Sequence, residues 1–125
     1  MHFLLVFLGA GFGGVLRHGV NLATVRFGLA GFPWGTLAVN VSGSLAMGLI
    51  AGWFAFRGTA GGQDLRLFLT TGVLGGFTTF SAFSLDTMLL WDRGEAGPAV
   101  LYVLGSVLLS IAGVAAGLAA MRAAA

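Results

Sequence analysis

Hydrophobic residues run along this chain in four long stretches, and most of the charged residues fall between or at the ends of them. The stretches predict membrane-spanning helices over residues 3–25, 33–56, 66–90 and 97–121. Each is close to the ~20 residues that a helix needs to cross a bilayer. Because the connections between them are short, the pattern predicts one integral membrane domain over residues 1–125, of the all-α class with four transmembrane helices.

The third stretch differs from the other three at its centre, where residues 72–83 read GVLGGFTTFSAF. Gly75 and Gly76 free the backbone, and Thr78 and Thr79 add β-branched hydroxyls that compete for backbone hydrogen bonds. This composition predicts a break in the third helix. Irregular backbone at membrane depth survives only where it is buried in protein or lines a wet cavity, so the break predicts an ion or substrate site.

Composition supports a membrane protein and excludes several other classes. Hydrophobic residues make up 58% of the chain and charged residues 8%, against roughly 25% charged in soluble domains. The absence of cysteine excludes disulfides and thiolate metal sites. The six basic residues form no cluster, which gives no reason to expect a nucleic-acid partner. Neither His2 nor His18 has metal-ligand spacing to a carboxylate, and we do not expect an enzyme.

Arginine is distributed evenly between the two sides of the predicted bundle. Four spans place both ends of the chain on one side. That side carries Arg57, Arg66 and Arg122, whereas the opposite side carries Arg26, Arg93 and, if its side chain snorkels to that interface, Arg17. Because basic residues set orientation in membranes, an even count leaves orientation unset. Two copies inserted in opposite directions could then pair as an antiparallel dimer; the alternative is that lipids or partners impose one orientation.

Neutral polar residues form two stripes on the predicted helices. They recur every four residues, as Thr36, Asn40 and Ser44 on the second span and as Tyr102, Ser106 and Ser110 on the fourth. Helix packing explains either stripe taken alone. Together with a broken span, the two stripes favour a polar route between helices.

The chemistry of this route favours an anion. It has no carboxylate or arginine at its centre, which disfavours a proton-coupled carrier and a cation pore ringed by acids. Amide and hydroxyl donors present positive dipoles to an anion, and a ring edge of Phe80 or Phe83 carries the positive part of the quadrupole. Ordinary packing of the two rings is the alternative.

Three stretches resemble the Fluc/CrcB family of fluoride channels. They are GFGGVLRH at 11–18, GTLAVNVSG at 35–43 and GVLGGFTTFSAF at 72–83, in the order and spacing of that family. With the four-span plan, the resemblance covers essentially the whole chain. It implies an antiparallel, dual-topology homodimer with two pores that exports fluoride passively across the bacterial inner membrane and confers fluoride resistance.

The resemblance also implies roles for individual residues. Asn40 would hydrogen-bond the ion, and Phe80 and Phe83 would offer ring edges along the pore. Arg17 would lie near the pore vestibule. The rest of the polar lining would be Thr79, Ser81, Tyr102, Ser106 and Ser110. The backbone carbonyls of Gly75 and Thr78 would hold a structural sodium ion on the dimer axis.

Two positions depart from the family pattern. Ala82 stands where the family commonly has threonine, and His18 where tyrosine usually follows the arginine of the first span. These departures concern the details of the polar lining and leave Asn40 and the phenylalanine pair untouched.

Two other functions are compatible with a short four-span chain. A small multidrug exporter of similar length needs a glutamate within its first span, and residues 3–16 contain no acid. A non-transporting membrane assembly protein would use both polar stripes only for packing. In that case substitution of Asn40 or Phe80 would leave ion flux unchanged.

Overall fold

The computed structural model describes residues 1–29, 31–57 and 62–125, and their regular structure is entirely helical. Helix α1 covers His2–Arg26, α2 covers Trp34–Arg57 and α6 covers Ala96–Ala124. Between α2 and α6 lies a third helical stretch, Gln63–Asp92. These four stretches are each long and apolar enough to cross a membrane, as the hydropathy pattern predicts. Residues 58–62 read GTAGG, which predicts a short glycine-rich turn, and they lie outside the described residues except for Gly62.

The third stretch consists of several segments. It begins as α3 (Gln63–Leu67), widens into a π-helix (Phe68–Leu74) and continues as α4 (Gly75–Phe77). Thr78 and Thr79 have extended backbone, with ψ angles of 155° and 121°. Helix α5 (Phe80–Asp92) follows. The extended pair coincides with the two adjacent threonines that the sequence singles out.

Glycines with positive φ end two of the helices. Gly28, after α1, has φ of 75°, and Gly94, after α5, has φ of 79°. After α1 the amide of Leu29 donates to the carbonyl of Thr24 at 2.8 Å, and the amide of Glu95 makes the corresponding bond after α5 at 3.0 Å. These are Schellman motifs, which satisfy carbonyls that the helix end would otherwise leave unpaired. Each reverses the chain at a membrane surface.

Helix α1 and the third stretch pack together through glycines. A Cβ atom on Gly9 would lie 2.8 Å from the Cα of Gly72, and one on Gly76 would lie 2.7 Å from the Cα of Ala10. Gly13 faces the backbone of Val73 equally closely. Small residues allow this close backbone approach in membranes, where packing rather than hydrophobic burial drives association. The spacing of Gly9 and Gly13, four residues apart on one helix, predicts such a contact, and the structure confirms it.

Helices α2 and α6 form the second close pair and run in the same direction. Gly48 faces the backbone of Val114, and Gly117 in turn faces the backbone of Leu49. At the far end, Gly52 packs on the side chain of Met121. The start of α6 packs on α5 through a buried cluster of Phe83, Leu90, Ala99 and Tyr102. Consecutive membrane-length helices thus alternate in direction.

The first testable consequence concerns Gly13. Gly13→Ala places a methyl group against the backbone of Val73 and Phe77, which cannot rotate away, and we expect it to lower stability by about 1–3 kcal/mol. Gly11→Ala is the matched control, because that position on α1 has open space around it. Thermal unfolding in detergent, followed by size-exclusion chromatography, measures both. An unfolding midpoint for Gly13→Ala equal to that of the parent protein would contradict this packing.

Candidate functional site

The site is built around a pairing between Asn40 on α2 and the backbone of Thr79. The Nδ2 of Asn40 donates to the Thr79 carbonyl at 3.0 Å, and the Thr79 amide donates to the Oδ1 of Asn40 at 2.8 Å. Because the Thr79 amide can only donate, the orientation of the Asn40 carboxamide is fixed. One side chain thus satisfies both backbone groups of an extended residue. One Nδ2 hydrogen of Asn40 remains for another acceptor.

At this site two backbone carbonyls lose the amide partners that they would have in a regular helix. In a regular helix the Gly75 carbonyl would accept from the amide of Thr79, four residues on, but that amide donates to Asn40. Likewise, the Thr78 carbonyl would accept from Ala82, whose amide donates to the Thr79 hydroxyl at 3.2 Å. Side chains therefore take up the amides that would normally pair with the Gly75 and Thr78 carbonyls.

Arg17 reaches the same interruption from α1. Its Nε donates to the Gly76 carbonyl at 3.3 Å, and its side chain is half-buried. A cation at the C-terminal end of a helical segment interacts favourably with the carbonyls exposed there. The glycine contacts of α1 bring this arginine within reach of α4. Its guanidinium therefore lies beside the interruption and does not extend to the far interface.

A cavity of about 370 Å³ opens beside the extended residues. Its walls come from α2, α5 and α6 and from the extended pair between α4 and α5. The polar lining consists of Asn40, Ser44, Thr78, Thr79, Ser106 and Ser110. The rings of Phe80 and Phe83 also line it, together with aliphatic side chains and Gly43. None of the described residues that line this cavity is charged.

Two features make the cavity suitable for an anion. The Oγ of Ser106 is buried and has no hydrogen-bond partner among the described residues, although buried hydroxyls are normally paired. Phe83 is 8% exposed and Phe80 is 77% exposed, and their ring centroids lie 5.5 Å apart at an interplanar angle of 56°. The wall thus combines an unpaired hydroxyl with two tilted rings.

Two predicted pathway residues lie next to this cavity and do not line it. The hydroxyl of Ser81 is 3.3 Å from that of Thr79. Tyr102 is fully buried, and its ring centroid is 5.1 Å from that of Phe83. The structure therefore brings Asn40, Thr79, Phe80, Phe83, Ser106 and Ser110 together around one space, with Ser81 and Tyr102 beside it.

Asp86 is a site residue that the sequence reasoning missed. Its charge near the end of the third apolar stretch predicts that it marks the return of the chain to water, but it is half-buried within α5. The Tyr102 hydroxyl donates to its Oδ2 at 3.1 Å. Asp86 also lines a second cavity of about 180 Å³, with Arg93 and Pro33. The available signal was spacing, since Asp86 follows Phe83 by three residues and shares its helix face.

The arrangement suits binding and passage better than bond-making chemistry. Its donors are amide, hydroxyl and backbone groups. Among the described residues there is no group of three or more His, Cys, Asp or Glu that could hold a metal ion. Near the interruption, backbone carbonyls are oxygen donors suited to a hard cation.

Comparison with known proteins gives a consistent result over nearly the whole chain. The family model described as CrcB-like protein, Camphor Resistance (CrcB), matches residues 4–118. A fluoride-specific ion channel FluC of Methylobacterium nodulans is 63% identical over 119 residues, which are 95% of this chain and 94% of that protein. FluC 2 of Nitrobacter hamburgensis is 59% identical over 122 residues, and FluC of Rhodopseudomonas palustris is 60% identical over 123 residues, each covering 98% of both chains. The chain belongs to the CrcB family.

Proposed function

We propose that this protein is a fluoride-selective channel that lets fluoride leave the bacterial cell passively through the inner membrane and so confers fluoride resistance. The observation that carries the proposal is the uncharged cavity beside Thr79, with its amide and hydroxyl donors and its phenylalanine pair. The relatives, about 60% identical, are named fluoride-specific ion channels. Ion channels are not enzymes, in agreement with the expectation from sequence.

Selectivity follows from how fluoride loses its water. Fluoride is small and strongly hydrated, so a pore must replace water with donors held at short range. The free Nδ2 hydrogen of Asn40 and the unpaired hydroxyl of Ser106 are such donors, and the ring edges of Phe80 and Phe83 add positive partial charge. In a narrow and rigid lining, chloride is too large to make the same contacts, as in filters that trade hydration for fixed dipoles.

The functional unit in this proposal is an antiparallel, dual-topology homodimer with two pores. Two observations support it. Phe80 lines the cavity yet is 77% exposed in a single chain, which leaves its ring free to pack against a second chain. Arginine is nearly balanced, at three on one side and two on the other once Arg17 is assigned to the Gly76 carbonyl, which permits insertion in both directions. In this proposal, the extended backbone of Thr78 and Thr79 breaks the third membrane span at the ion pathway.

A structural sodium ion fits the carbonyls at this break. Gly75 and Thr78 would each contribute a backbone oxygen, because the amides that would pair with them donate to side chains. Carbonyl oxygen is a suitable ligand for a hard monovalent cation, and two chains would supply four. When bound, the ion would offset the partial negative charge of these carbonyl oxygens. Arg17, on the Gly76 carbonyl, would lie beside the pore vestibule.

Neither alternative function gains support from the structure. Helix α1 contains no acidic residue, whereas a small multidrug exporter needs one there. A non-transporting assembly protein does not account for an unpaired buried hydroxyl facing a cavity. The flux experiments below separate it from a channel.

Phe80→Ile tests the pore. Liposomes with the parent protein should release fluoride rapidly and chloride not at all. Phe80→Ile should abolish fluoride release, because an aliphatic side chain has no positive ring edge. Phe7→Ile is the matched control, since Phe7 is similarly exposed at 73% but lies on α1, away from the cavity. Fluoride release by Phe80→Ile at the parent rate would place the pathway elsewhere, and no release by the well-folded parent would reject the channel.

Asn40→Leu tests the pairing with Thr79. It leaves the amide and carbonyl of Thr79 unpaired, which costs about 1–3 kcal/mol for each buried group. We expect a lower unfolding midpoint and loss of fluoride flux. Ser42→Ala is the control, because the Ser42 hydroxyl bonds only the Val39 carbonyl of its own helix. Equal stability and flux in Asn40→Leu and the parent would rule out the pairing as the basis of the site.

Replacement of sodium tests the cation proposal without reference to flux. Exchanging sodium for N-methylglucamine at constant ionic strength should lower the unfolding midpoint. A ligand present at a hundredfold excess over its dissociation constant contributes about 2.7 kcal/mol. Choline should behave like N-methylglucamine, since both are too large for a carbonyl cage. The same midpoint in all three salts would argue against a bound sodium ion.

A further inference from the structure

The ends of α2 and α6 hold two arginines in a reciprocal arrangement, which we call the arginine clasp. The Nη2 of Arg57 donates to the carbonyl of Ala124 at 3.2 Å, and its guanidinium lies 4.8 Å from the ring centroid of Trp53. From α6, the guanidinium of Arg122 lies 5.1 Å from the ring centroid of Phe56. Each helix thus sends an arginine onto the end of the other.

The clasp carries two positive charges without a carboxylate partner. In the part of the chain that the structure describes, the ion pairs are His2–Asp64 and Arg93–Glu95, and neither includes a clasp arginine. Both clasp arginines are exposed. Cation–π contacts orient a guanidinium but leave its charge uncompensated.

Charge over the whole chain is concentrated at the same end. That end has three arginines (Arg57, Arg66, Arg122) and one acid, Asp64, which pairs with His2. The remainder of the chain has three arginines and three acids, so the entire formal side-chain charge of +2 lies at the clasp end. Arginine counts alone, three at the clasp end and three in the remainder of the chain, hide this asymmetry.

The chemistry and depth of the clasp define its ligand. A guanidinium offers a planar fork of N–H donors that matches phosphate geometry. The rings of Trp53 and Phe56 lie beneath the two guanidinium groups, and tryptophan marks the membrane interface. A lipid supplies both parts of a matching ligand. Its phosphodiester carries a negative charge at that depth, and its acyl chain continues along Trp53, which is 43% exposed.

We propose that the arginine clasp binds the headgroup phosphate of an anionic phospholipid, with an acyl chain lying along the exposed face of Trp53. This site lies at the opposite end of α2 from its polar stripe and goes beyond the proposed channel function. It depends only on the helices crossing a membrane. Each basic residue near an anionic surface contributes ~1 kcal/mol, or about a fivefold preference. Two residues therefore give a preference of up to about thirtyfold for an anionic lipid.

Trp53 is a built-in reporter for this site. In a Trp34→Phe/Trp91→Phe background, Trp53 is the only tryptophan. The protein is reconstituted in phosphatidylcholine containing a minor fraction of a lipid brominated in its acyl chains, and bromine quenches nearby tryptophan. We expect brominated phosphatidylglycerol to quench Trp53 at a five- to thirtyfold lower fraction than brominated phosphatidylcholine. The Trp53→Phe protein reports Trp34 and Trp91 at the other end and should show a much smaller preference.

Substitutions then assign the preference to the clasp. Arg57→Gln/Arg122→Gln should bring the ratio of the two lipids close to one, whereas Arg57→Lys/Arg122→Lys should keep part of the preference, because charge is retained but the planar fork of donors is lost. Arg26→Gln, at the opposite end, should leave it unchanged. The ratio is taken within each variant, so a change in the intrinsic fluorescence of Trp53 does not affect it.

Three results would overturn the proposal. One is equal quenching by the two lipids in the parent protein, which decides the matter even if the glutamine variant fails to fold. Another is a preference that survives Arg57→Gln/Arg122→Gln. The third is complete relief of phosphatidylglycerol quenching by inorganic phosphate at constant ionic strength, which would assign the clasp to a soluble anion.

Discussion

The structure depends most on the two hydrogen bonds between Asn40 and the backbone of Thr79. A membrane interior offers no water to an extended residue, and each unsatisfied backbone group costs several kcal/mol there. A carboxamide carries its donor and its acceptor on separate atoms, so a single Asn40 pairs both backbone groups of an extended residue at this depth. Without it, Thr79 would have to return to the helix, and the wall of the cavity would be lost.

The other elements hold that interruption in place and make use of it. Close glycine packing brings α1 against the third stretch, which places Arg17 on the Gly76 carbonyl. The Thr79 hydroxyl caps α5, so that the helix restarts with Phe80 and Phe83 facing the cavity. Because these contacts are all made by neutral groups or backbone, apart from Arg17, the cavity stays uncharged. An uncharged donor lining suits an anion that must leave again after it binds.

Much of the fold could be predicted from sequence because the bilayer limits the choices. Four apolar stretches of spanning length give four helices, and paired glycines predict close contacts between them. The composition of the third stretch pointed to Thr78 and Thr79. The polar stripes pointed to Asn40, Ser106 and Ser110, which line one cavity together.

The features that could not be predicted from sequence are those that depend on which residues meet in three dimensions. Asn40 was expected to act on the ion, and nothing in the sequence indicated that most of its hydrogen bonds go to a residue 39 positions away. Asp86 seemed to mark the interface because charge usually does, yet Tyr102 on another helix holds it within α5. Arg17 could reach either the interface or the Gly76 carbonyl, and only packing of α1 decides between them.

The most direct measurement deletes the Thr79 amide without altering any side chain. Incorporation of the α-hydroxy analogue of threonine at position 79 replaces that amide with an ester oxygen, so that the Oδ1 of Asn40 loses its donor. We expect reduced stability and impaired fluoride efflux from liposomes. We also expect Asn40→Leu to cost much less stability in the ester protein than it costs in the parent protein. An ester protein as stable and as active as the parent, or full additivity with Asn40→Leu, would contradict the pairing of Asn40 with Thr79.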